Sequence, residues 1–368
     1  KNNCIFDTLI YKRDRMQKKN NQLTGIKEIA RRSKVSIGTV DRVIHNRSGV
    51  SLKTSERVKK VIEEINYKPN LLGRILASKK TFRFVSLIPK VSADTSFWEA
   101  PLKGIETAES EIRQYNIDVD KYFYDQNDKN SFITQFRKIL KEKADGILLA
   151  PTFIEESVNF TNRCRKLNIP YVFMNSDIPD QPSLSYIGAD LKQSGYSAAN
   201  LSRYLVKQND KILIINISTE LENYHHLLRK EEGFRGFFSH YKLPNEIETI
   251  EIKKTGYPAI KKALDQALLI HSDVRLMFVT NSKVSQVAHY LKETKKGIKL
   301  IGYDFVKENI SYLDDDVIDF LICQKPGEQA YRGIMALYKH LVLKMPVEEY
   351  TYMPIDIIMK TNYAFYNN

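Results

Sequence analysis

The sequence predicts two unlike parts in one chain: a small all-α head built around a tight helix-turn-helix pair, then a larger α/β body of two Rossmann-like lobes. Three observations carry that expectation. Residues 1 to 83 hold 21 Lys and Arg against 7 acidic residues, whereas the other 285 residues hold 36 and 37. From Gly25 to Ile65 the apolar residues recur in three short sets at helical spacing. Beyond Phe82, short β-rich runs alternate with helix-length segments, the pattern of parallel sheets with crossover helices. A basic head on a neutral body is the charge footprint of a polyanion-binding module joined to something with another task.

At 368 residues the chain exceeds the size at which one core usually keeps growing, so two or three units are expected. With 42% hydrophobic and 27% charged residues it reads as a soluble globular protein. The longest apolar runs, Gly146 to Pro151 and Lys211 to Ile217, fall far short of the roughly 20 residues that span a bilayer and read as buried strands. Cys4, Cys164 and Cys323 are far apart and lack metal-site spacing, which argues against disulfides and zinc and for a reducing cytoplasm. Nothing calls for a cofactor or a metal. The apolar stretch Cys4 to Tyr11 is short and runs into charged residues, unlike a signal peptide. Met16 is a candidate natural start, and residues 1–23 are expected to be a disordered tail.

In the head, the first apolar set is Ile26, Ile29 and Ala30, the second Val40, Val43 and Ile44, the third Val58, Val61, Ile62 and Ile65. Ser33 to Ser36 leave room only for a tight turn between the first two. Ser36 and Ser51 are candidate N-caps, since a hydroxyl there accepts a free backbone N–H. Two helices joined by about four residues, the second bearing exposed polar and basic positions, form the major-groove reader of DNA; the bland alternative is a solvated three-helix bundle.

The wording is more specific than the pattern. The run from Thr24 to Asn46 (TGIKEIARRSKVSIGTVDRVIHN), then Val50 to Thr54 (VSLKT) and Asn66 to Asn70 (NYKPN), resembles the headpiece of the lactose repressor family of bacterial transcription regulators. The resemblance places Ile37, Gly38 and Arg42 at base-reading positions. Arg42 has the chemistry for guanine O6 and N7, Ile37 for a thymine methyl, and Gly38 has no side chain to read with. Asp41 departs from the small hydroxyl residue common there, so the operator sequence does not transfer. Ser36, Thr39, Lys53 and Thr54 read as phosphate anchors, which position without specifying. After Pro69 the family has a hinge helix, ordered when two copies meet over the minor groove. Leu76 aligns with the wedging leucine and Ala77 lies beside it in the same DNA contact.

In the body, strand candidates are Phe84 to Ile88, Asp118 to Tyr122, Gly146 to Ala150, Tyr171 to Asn175, Lys211 to Ile217, Glu248 to Glu251, Leu276 to Val279 and Lys299 to Tyr303. Helices such as Ala100 to Tyr115, Phe132 to Glu142, Gln193 to Gln208, Lys230 to His240 and Val284 to Lys292 lie between them. Ligands of open α/β sheets bind at the carboxyl ends of strands, where Phe97, Trp98, Asn175, Asp177, Asn281, Asp304 and Gln324 are found. Aromatic faces with paired donors and acceptors suit a polyhydroxylated ring. His225 and His226 are adjacent, point to different faces, and are not read as metal ligands.

The body also resembles the periplasmic sugar-binding proteins and the matching effector domain of the same family, through Tyr186 to Gly195 (YIGADLKQSG), Arg229 to Phe234 (RKEEGF), Thr280–Asn281, Gly302 to Asp304 and Gln324 to Pro326 (QKP). By that resemblance Phe97 and Trp98 sandwich a sugar ring, Asn175, Asn281, Asp304 and Gln324 bond its hydroxyls, and Arg229 takes a ring oxygen or an anionic group. Asp177 stands where sugar binders often have a basic or neutral residue, which weighs against an acidic or phosphorylated effector.

The implied fold is an all-α helix-turn-helix headpiece with a hinge helix, followed by an α/β two-lobed periplasmic-binding-protein-like domain. The implied parts are the tail 1–23, a DNA-binding domain 24–68, a hinge 69–81, lobe 1 at 82–189 plus 325–353, and lobe 2 at 190–324 plus 354–368, with crossings near Gly188 to Asp190, Gln324 and Met353 to Ile355. The implied function is a DNA-binding transcriptional regulator, expected to be a repressor, whose operator affinity answers to a small carbohydrate. Its expected partners are double-stranded operator DNA, that effector and a second copy of the chain, with Ala100 to Tyr115 as a candidate dimer face and no membrane contact. The competing readings are a solute receptor without a regulatory role and a regulator with a nucleobase or sugar phosphate effector. An enzyme is not expected: no dinucleotide-binding GxGxxG follows a strand, and no P-loop or nucleophile set is placed.

Overall fold

The computed structural model describes residues 25–44, 47–67, 80–92, 95–219 and 225–367. The expected tail and residues 68–79, which hold most of the expected hinge with Leu76 and Ala77, lie outside them. The chain divides into two compact units, an N-terminal one ending at Arg74 and a second running from Ile75 to the end.

In the first unit, α1 (Ile26–Ser33), α2 (Ile37–Ile44) and α3 (Leu52–Glu64) close around Ile29, Ala30, Val40, Val43, Val58 and Val61. Lys34 terminates α1 in the left-handed conformation (φ 50°), and its N–H returns to the carbonyls of Ala30 and Arg31. That cap turns the chain within three residues into α2. Ser36 Oγ accepts the Thr39 N–H at 3.1 Å, and Ser51 Oγ accepts the Thr54 N–H at 3.3 Å, so both helices after the turn start on a hydroxyl cap. Glu28 bridges Arg31 and Arg32 (2.7 and 2.8 Å) and holds α1's last turn together; its carboxyl falls to about 2 through those two guanidinium bonds.

The second unit is two sheets with helices on their faces, parallel throughout except where the last strand, Asp356–Ile358, pairs antiparallel with Phe320–Cys323. One sheet, in the order β11-β5-β4-β3-β1-β2, comprises β1 (Phe82–Pro89), β2 (Ile117–Tyr124), β3 (Gly146–Leu149), β4 (Tyr171–Met174), β5 (Ser185–Gly188) and β11 (Tyr350–Tyr352). The other, in the order β12-β10-β9-β8-β6-β7, comprises β6 (Lys211–Ile217), β7 (Ile247–Ile252), β8 (Val274–Val279), β9 (Lys299–Tyr303), β10 (Phe320–Cys323) and β12 (Asp356–Ile358). Central strands such as β3, β4 and β6 are apolar on both faces because helices cover both. Edge strand β2 alternates buried and exposed residues instead. The chain passes between the sheets three times, at 189–190 after β5, at 324–325 after β10, and at 353–355 between β11 and β12.

The helices of the first lobe are α4 (Glu99–Ile112), α5 (Lys129–Glu142), α6 (Ile154–Lys166) and, from the far end of the chain, α12 (Pro326–Leu341). Those of the second are α7 (Leu191–Ser202), α8 (His225–His240), α9 (Tyr257–Ile270), α10 (Val284–Thr294) and α11 (Lys307–Asp314). Helix α7 crosses α8 so closely that a Cβ on Gly195 would lie 1.8 Å from the Lys230 carbonyl, and one on Gly233 would lie 1.8 Å from that of Lys192. Backbone, not a flexible side chain, blocks each position. Gly195→Ala is therefore expected to destabilise the body by about 1–3 kcal/mol or more through forced separation of the helices, read as a lower urea midpoint at unchanged m-value.

Candidate functional site

On the head, burial splits α2 into two faces. Val40 and Val43 are in the core, while Gly38 and Arg42 are exposed and Ile37, an apolar residue, is 49% exposed. Ser36, Thr39, Lys53 and Thr54 gather at the N-terminal ends of α2 and α3, where free N–H groups and the helix dipole favour phosphate oxygens. Ser36 and Thr39 hydroxyls lie 2.9 Å apart, so the cap and the anchor form one unit. Asp41 forms an ion pair with Arg47 at 3.2 Å, which offsets the acid that the sequence places beside Arg42.

In the body, a cavity lies between the two sheets, and almost all of its wall comes from residues just past the carboxyl ends of strands. Thr95, Phe97 and Trp98 follow β1, Gln126 and Asn127 follow β2, Asn175 follows β4, Asn281 to Lys283 follow β8, Asp304 follows β9 and Gln324 follows β10. His226 and Lys230 enter from the first turns of α8. Asn175 (φ 67°) and Asp304 (φ 74°) adopt the left-handed conformation as they leave their strands, a geometry that Asn and Asp tolerate best after Gly.

A hydrogen-bonded set ties these groups together across the crossing at Gln324. Gln324 Nε2 reaches Asp304 Oδ1 at 3.3 Å and Asn175 Oδ1 at 3.5 Å. Buried Gln329 steadies both ends: its Nε2 donates to the Gln324 carbonyl (2.7 Å), and its Oε1 accepts the Asn175 N–H (3.0 Å). Asn281 Nδ2 donates to the Ile217 carbonyl at 2.7 Å, and Trp98 Nε1 donates to Gln126 Oε1 at 3.3 Å.

Burial dominates the titration of the cavity wall. Asp304 is pushed up to about 6, with Lys230 and Gln324 pulling the other way. Lys230 is pushed down to about 8 by burial, with Asp304 opposing. The Lys230 ammonium donates to the Thr280 carbonyl at 3.0 Å and lies 3.6 Å above the Tyr303 ring. His226, partly buried in the cavity wall, is pushed down to about 3, first by burial and then by Lys230, so it stays neutral.

The structure brings Phe97, Trp98, Asn175, Asn281, Asp304 and Gln324 to one cavity. It differs from the sequence reading in three respects. Arg229 does not face the cavity: its Nη1 pairs with Asp177 Oδ1 at 2.5 Å, and the residue that does face it is Lys230. One residue along a helix is a rotation of about 100°, so neighbours with the same charge point to different surroundings. Asp177 is likewise neutralised away from the cavity wall, and its weight against an acidic effector disappears. Phe97 and Trp98 meet edge to face, with centroids 5.0 Å apart and planes at 85°, so they cannot sandwich a ring between two parallel faces. They form one corner of the wall. His226, Gln126 and Thr255 also line the cavity unforeseen, and only the strand ends preceding Gln126 and Thr255 could have signalled them.

Hydrogen bonds and an ion pair also join the two lobes directly. Beside the Arg229–Asp177 pair, Ser96 Oγ donates to Glu308 at 2.8 Å, Thr95 and Ser282 hydroxyls lie 3.3 Å apart, and Thr219 Oγ1 reaches Asn127 Oδ1 at 3.2 Å. These bonds join parts of the chain up to 212 residues apart and can exist only while the lobes are together.

Comparison with known proteins matches the two units separately. Residues 25–70 match the family model of the bacterial regulatory proteins, lacI family, and residues 85–344 match that of the periplasmic binding protein domain. This chain belongs to the LacI family. Catabolite control protein A of Staphylococcus epidermidis is 24% identical over 332 residues, covering 84% of this chain and 98% of that protein. A crystal structure of a Bacteroides fragilis protein designated a LacI transcriptional regulator superposes with a TM-score of 0.71 at 31% identity, covering 78% of this chain and all of that one. GanP, a glucose-galactose binding protein from Geobacillus stearothermophilus, shares the fold: its TM-score is 0.69 at 23% identity, over 77% of this chain and 99% of its own. The LacI-family chain is a DNA-binding transcriptional regulator with a two-lobed α/β body, and the reading as a solute receptor alone is not favoured. Among the described residues no helix is long and apolar enough to cross a membrane.

Proposed function

We propose that this LacI-family regulator binds double-stranded operator DNA as a homodimer and that a small carbohydrate held between its lobes sets operator affinity. One observation carries the effector half of the reading: Asn175, Asn281, Asp304 and Gln324 converge on a single cavity beside the Phe97–Trp98 corner. Carboxamides offer donors and acceptors together, as vicinal hydroxyls require, and an aromatic wall takes the C–H face of a ring. That a fold relative is a glucose-galactose binding protein agrees with it.

On the DNA side, Ile37, Gly38 and Arg42 face the bases, and Ser36, Thr39, Lys53 and Thr54 hold phosphates. Leu76 and Ala77, outside the described residues, keep the minor-groove role that the resemblance assigns. One head buries too little for tight specific binding, and two-fold operators need two, with half-sites a helical turn apart. Helix α4 packs one face on α12, where a Cβ on Gly104 would lie 2.0 Å from the Gly327 carbonyl, and leaves Lys103, Glu106, Thr107 and Ser110 exposed for a second copy. The protein acts in the cytoplasm, as a regulator rather than a catalyst.

Thermal melting against neutral sugars, nucleobases and nucleosides tests the effector. A true effector at a hundredfold excess over its Kd stabilises by about 2.7 kcal/mol. A shift confined to sugars supports the reading; a shift with nucleobases alone refutes it. Affinity should also fall with acid. Asp304 takes hydroxyl protons as a carboxylate, and its raised value of about 6 means that protonation competes with the ligand from that pH downward. The expected Kd is flat between pH 6.5 and 7.5 and rises by up to about tenfold per unit below 6.

A further inference from the structure

Two residues of α2 are unexplained by the fold of the head. Gly38 is helical and exposed, and a Cβ added there would meet only Ser36 Oγ, at an ordinary 3.8 Å. Neither a left-handed backbone nor a close neighbour demands glycine, which is a poor helix former. Asp41 is the one acid in α2, within a segment whose charge is strongly positive. Its pair with Arg47 at 3.2 Å leaves the two side chains 41% and 65% exposed, and a pair so open to water adds little stability. On a surface that meets phosphates, a carboxylate also works against binding.

Helix geometry brings the two oddities together. At about 100° per residue, Asp41 and Arg42 stand about 60° and 40° to either side of Gly38, one turn further along, on the face away from Val40 and Val43. A residue without a side chain lets the backbone approach a ligand closely. Asp41 is short and needs such an approach to reach a base edge, whereas Arg42 is long and does not. Cytosine offers its 4-amino donor in the major groove, and a carboxylate accepts from it. The amino group of adenine stands beside the N7 acceptor, which repels a carboxylate. An ionised carboxylate has about four lone-pair sites, so it can accept from a base while bonded to Arg47, whose charge offsets its own against the phosphates.

We propose that Asp41 is a specificity residue that accepts from a cytosine 4-amino group in the major groove, and that Gly38 lets α2 come close enough for that contact. This rests on the reading of α2 as the base-facing helix and deepens it.

The test is selection of binding sites from randomised double-stranded DNA by the full chain and its variants. The parent chain should enrich a half-site with a guanine and, at a separate base pair, a cytosine. Asp41→Ser should lower the cytosine preference by about fivefold or more, the lower end of what one base contact supplies, and leave the guanine as it was. Asp41→Asn should turn the cytosine into an adenine, since a carboxamide donates as well as accepts. Gly38→Leu, whose side chain meets open space in the free protein, should keep the parent's melting temperature and bind the parent's selected site about fivefold or more weakly. Full affinity in Gly38→Leu overturns the account of Gly38. An unchanged cytosine preference in Asp41→Ser overturns the cytosine contact. Tighter binding of that variant to all sequences by one factor also overturns it, as the mark of an acid that only repels phosphates. Loss of the guanine in place of the cytosine would show that Asp41 merely positions Arg42, and overturns it too. Arg42→Ala keeps the two levels apart. If it changes the selected sequence and Asp41→Ser does not, the inference falls and α2 still reads bases; if neither changes it, or if the parent chain enriches no sequence, both fall.

Discussion

Asp304→Asn will weaken the effector response while leaving DNA binding unchanged. Asn keeps the shape and tolerates the left-handed backbone at φ 74°, so the substitution removes charge without imposing strain. A hydrogen bond to a charged acceptor is worth about 1.5–3 kcal/mol, so effector affinity should fall roughly 10- to 150-fold. Operator affinity without effector should stay within twofold, since Asp304 lies in the second unit and the DNA-facing residues in the first. Fluorescence anisotropy on operator DNA, with and without effector, checks both arms. If Asp304→Asn responds to effector like the parent protein, the cavity has been assigned wrongly.

Arg42→Ala will remove operator preference and spare general affinity for DNA. Arg42 is exposed on the face of α2 opposite Val40 and Val43, so truncation costs the head no packing. A bidentate guanine contact discriminates by about 1–3 kcal/mol, and a dimer makes two. The expected outcome is a loss of about 5- to 150-fold per half-site on operator sequence. On random DNA the salt-dependent binding supplied by the remaining Lys and Arg should persist. Retention of full sequence preference would mean that α2 does not read bases through Arg42.

Most of the architecture was legible because the physics that builds it is local. The three apolar sets of the head sit on single helical faces, and the cores at Ile29, Val40 and Val58 follow from spacing. The strands at Lys211–Ile217 and Lys299–Tyr303 stand out because both of their faces are apolar or nearly so. The strands Ser185–Gly188, Tyr350–Tyr352 and Asp356–Ile358 were not foreseen as strands, and Phe320–Cys323 only as an unbounded strand ending before Gln324. They are three or four residues long, and their pairings are remote in the sequence: Tyr186 lies beside Tyr350, and Leu321 beside Ile358 across a whole helix and a strand of the other sheet. No local pattern marks such pairings.

The cavity was legible in part for the same reason. Strand ends point to Asn175, Asn281, Asp304 and Gln324, because topology places them before any side chain is positioned. Helix phase is finer. Arg229 and Lys230 differ by one step in a sequence where both are basic, and only the crossing of α7 on α8 at Gly195 and Gly233 decides which one faces inward. The orthogonal Phe97–Trp98 pair depends on packing that adjacency in the sequence does not reveal.

The closed form also suggests how occupancy could reach the DNA. Effector bridging Lys230 and Asn281 of one lobe to Asn175 and Trp98 of the other would add to the Ser96–Glu308 and Arg229–Asp177 contacts and favour closure. A ligand shifts an equilibrium only by its differential affinity for the two forms, and a coupling of about 1–3 kcal/mol is ordinary. The most direct measurement is the operator Kd of the full chain with saturating effector and without it. Coupling between cavity and head predicts a change of at least about fivefold, in either direction, that in Asp304→Asn needs roughly 10- to 150-fold more effector. An operator Kd that stays constant while calorimetry shows the cavity filled would contradict it.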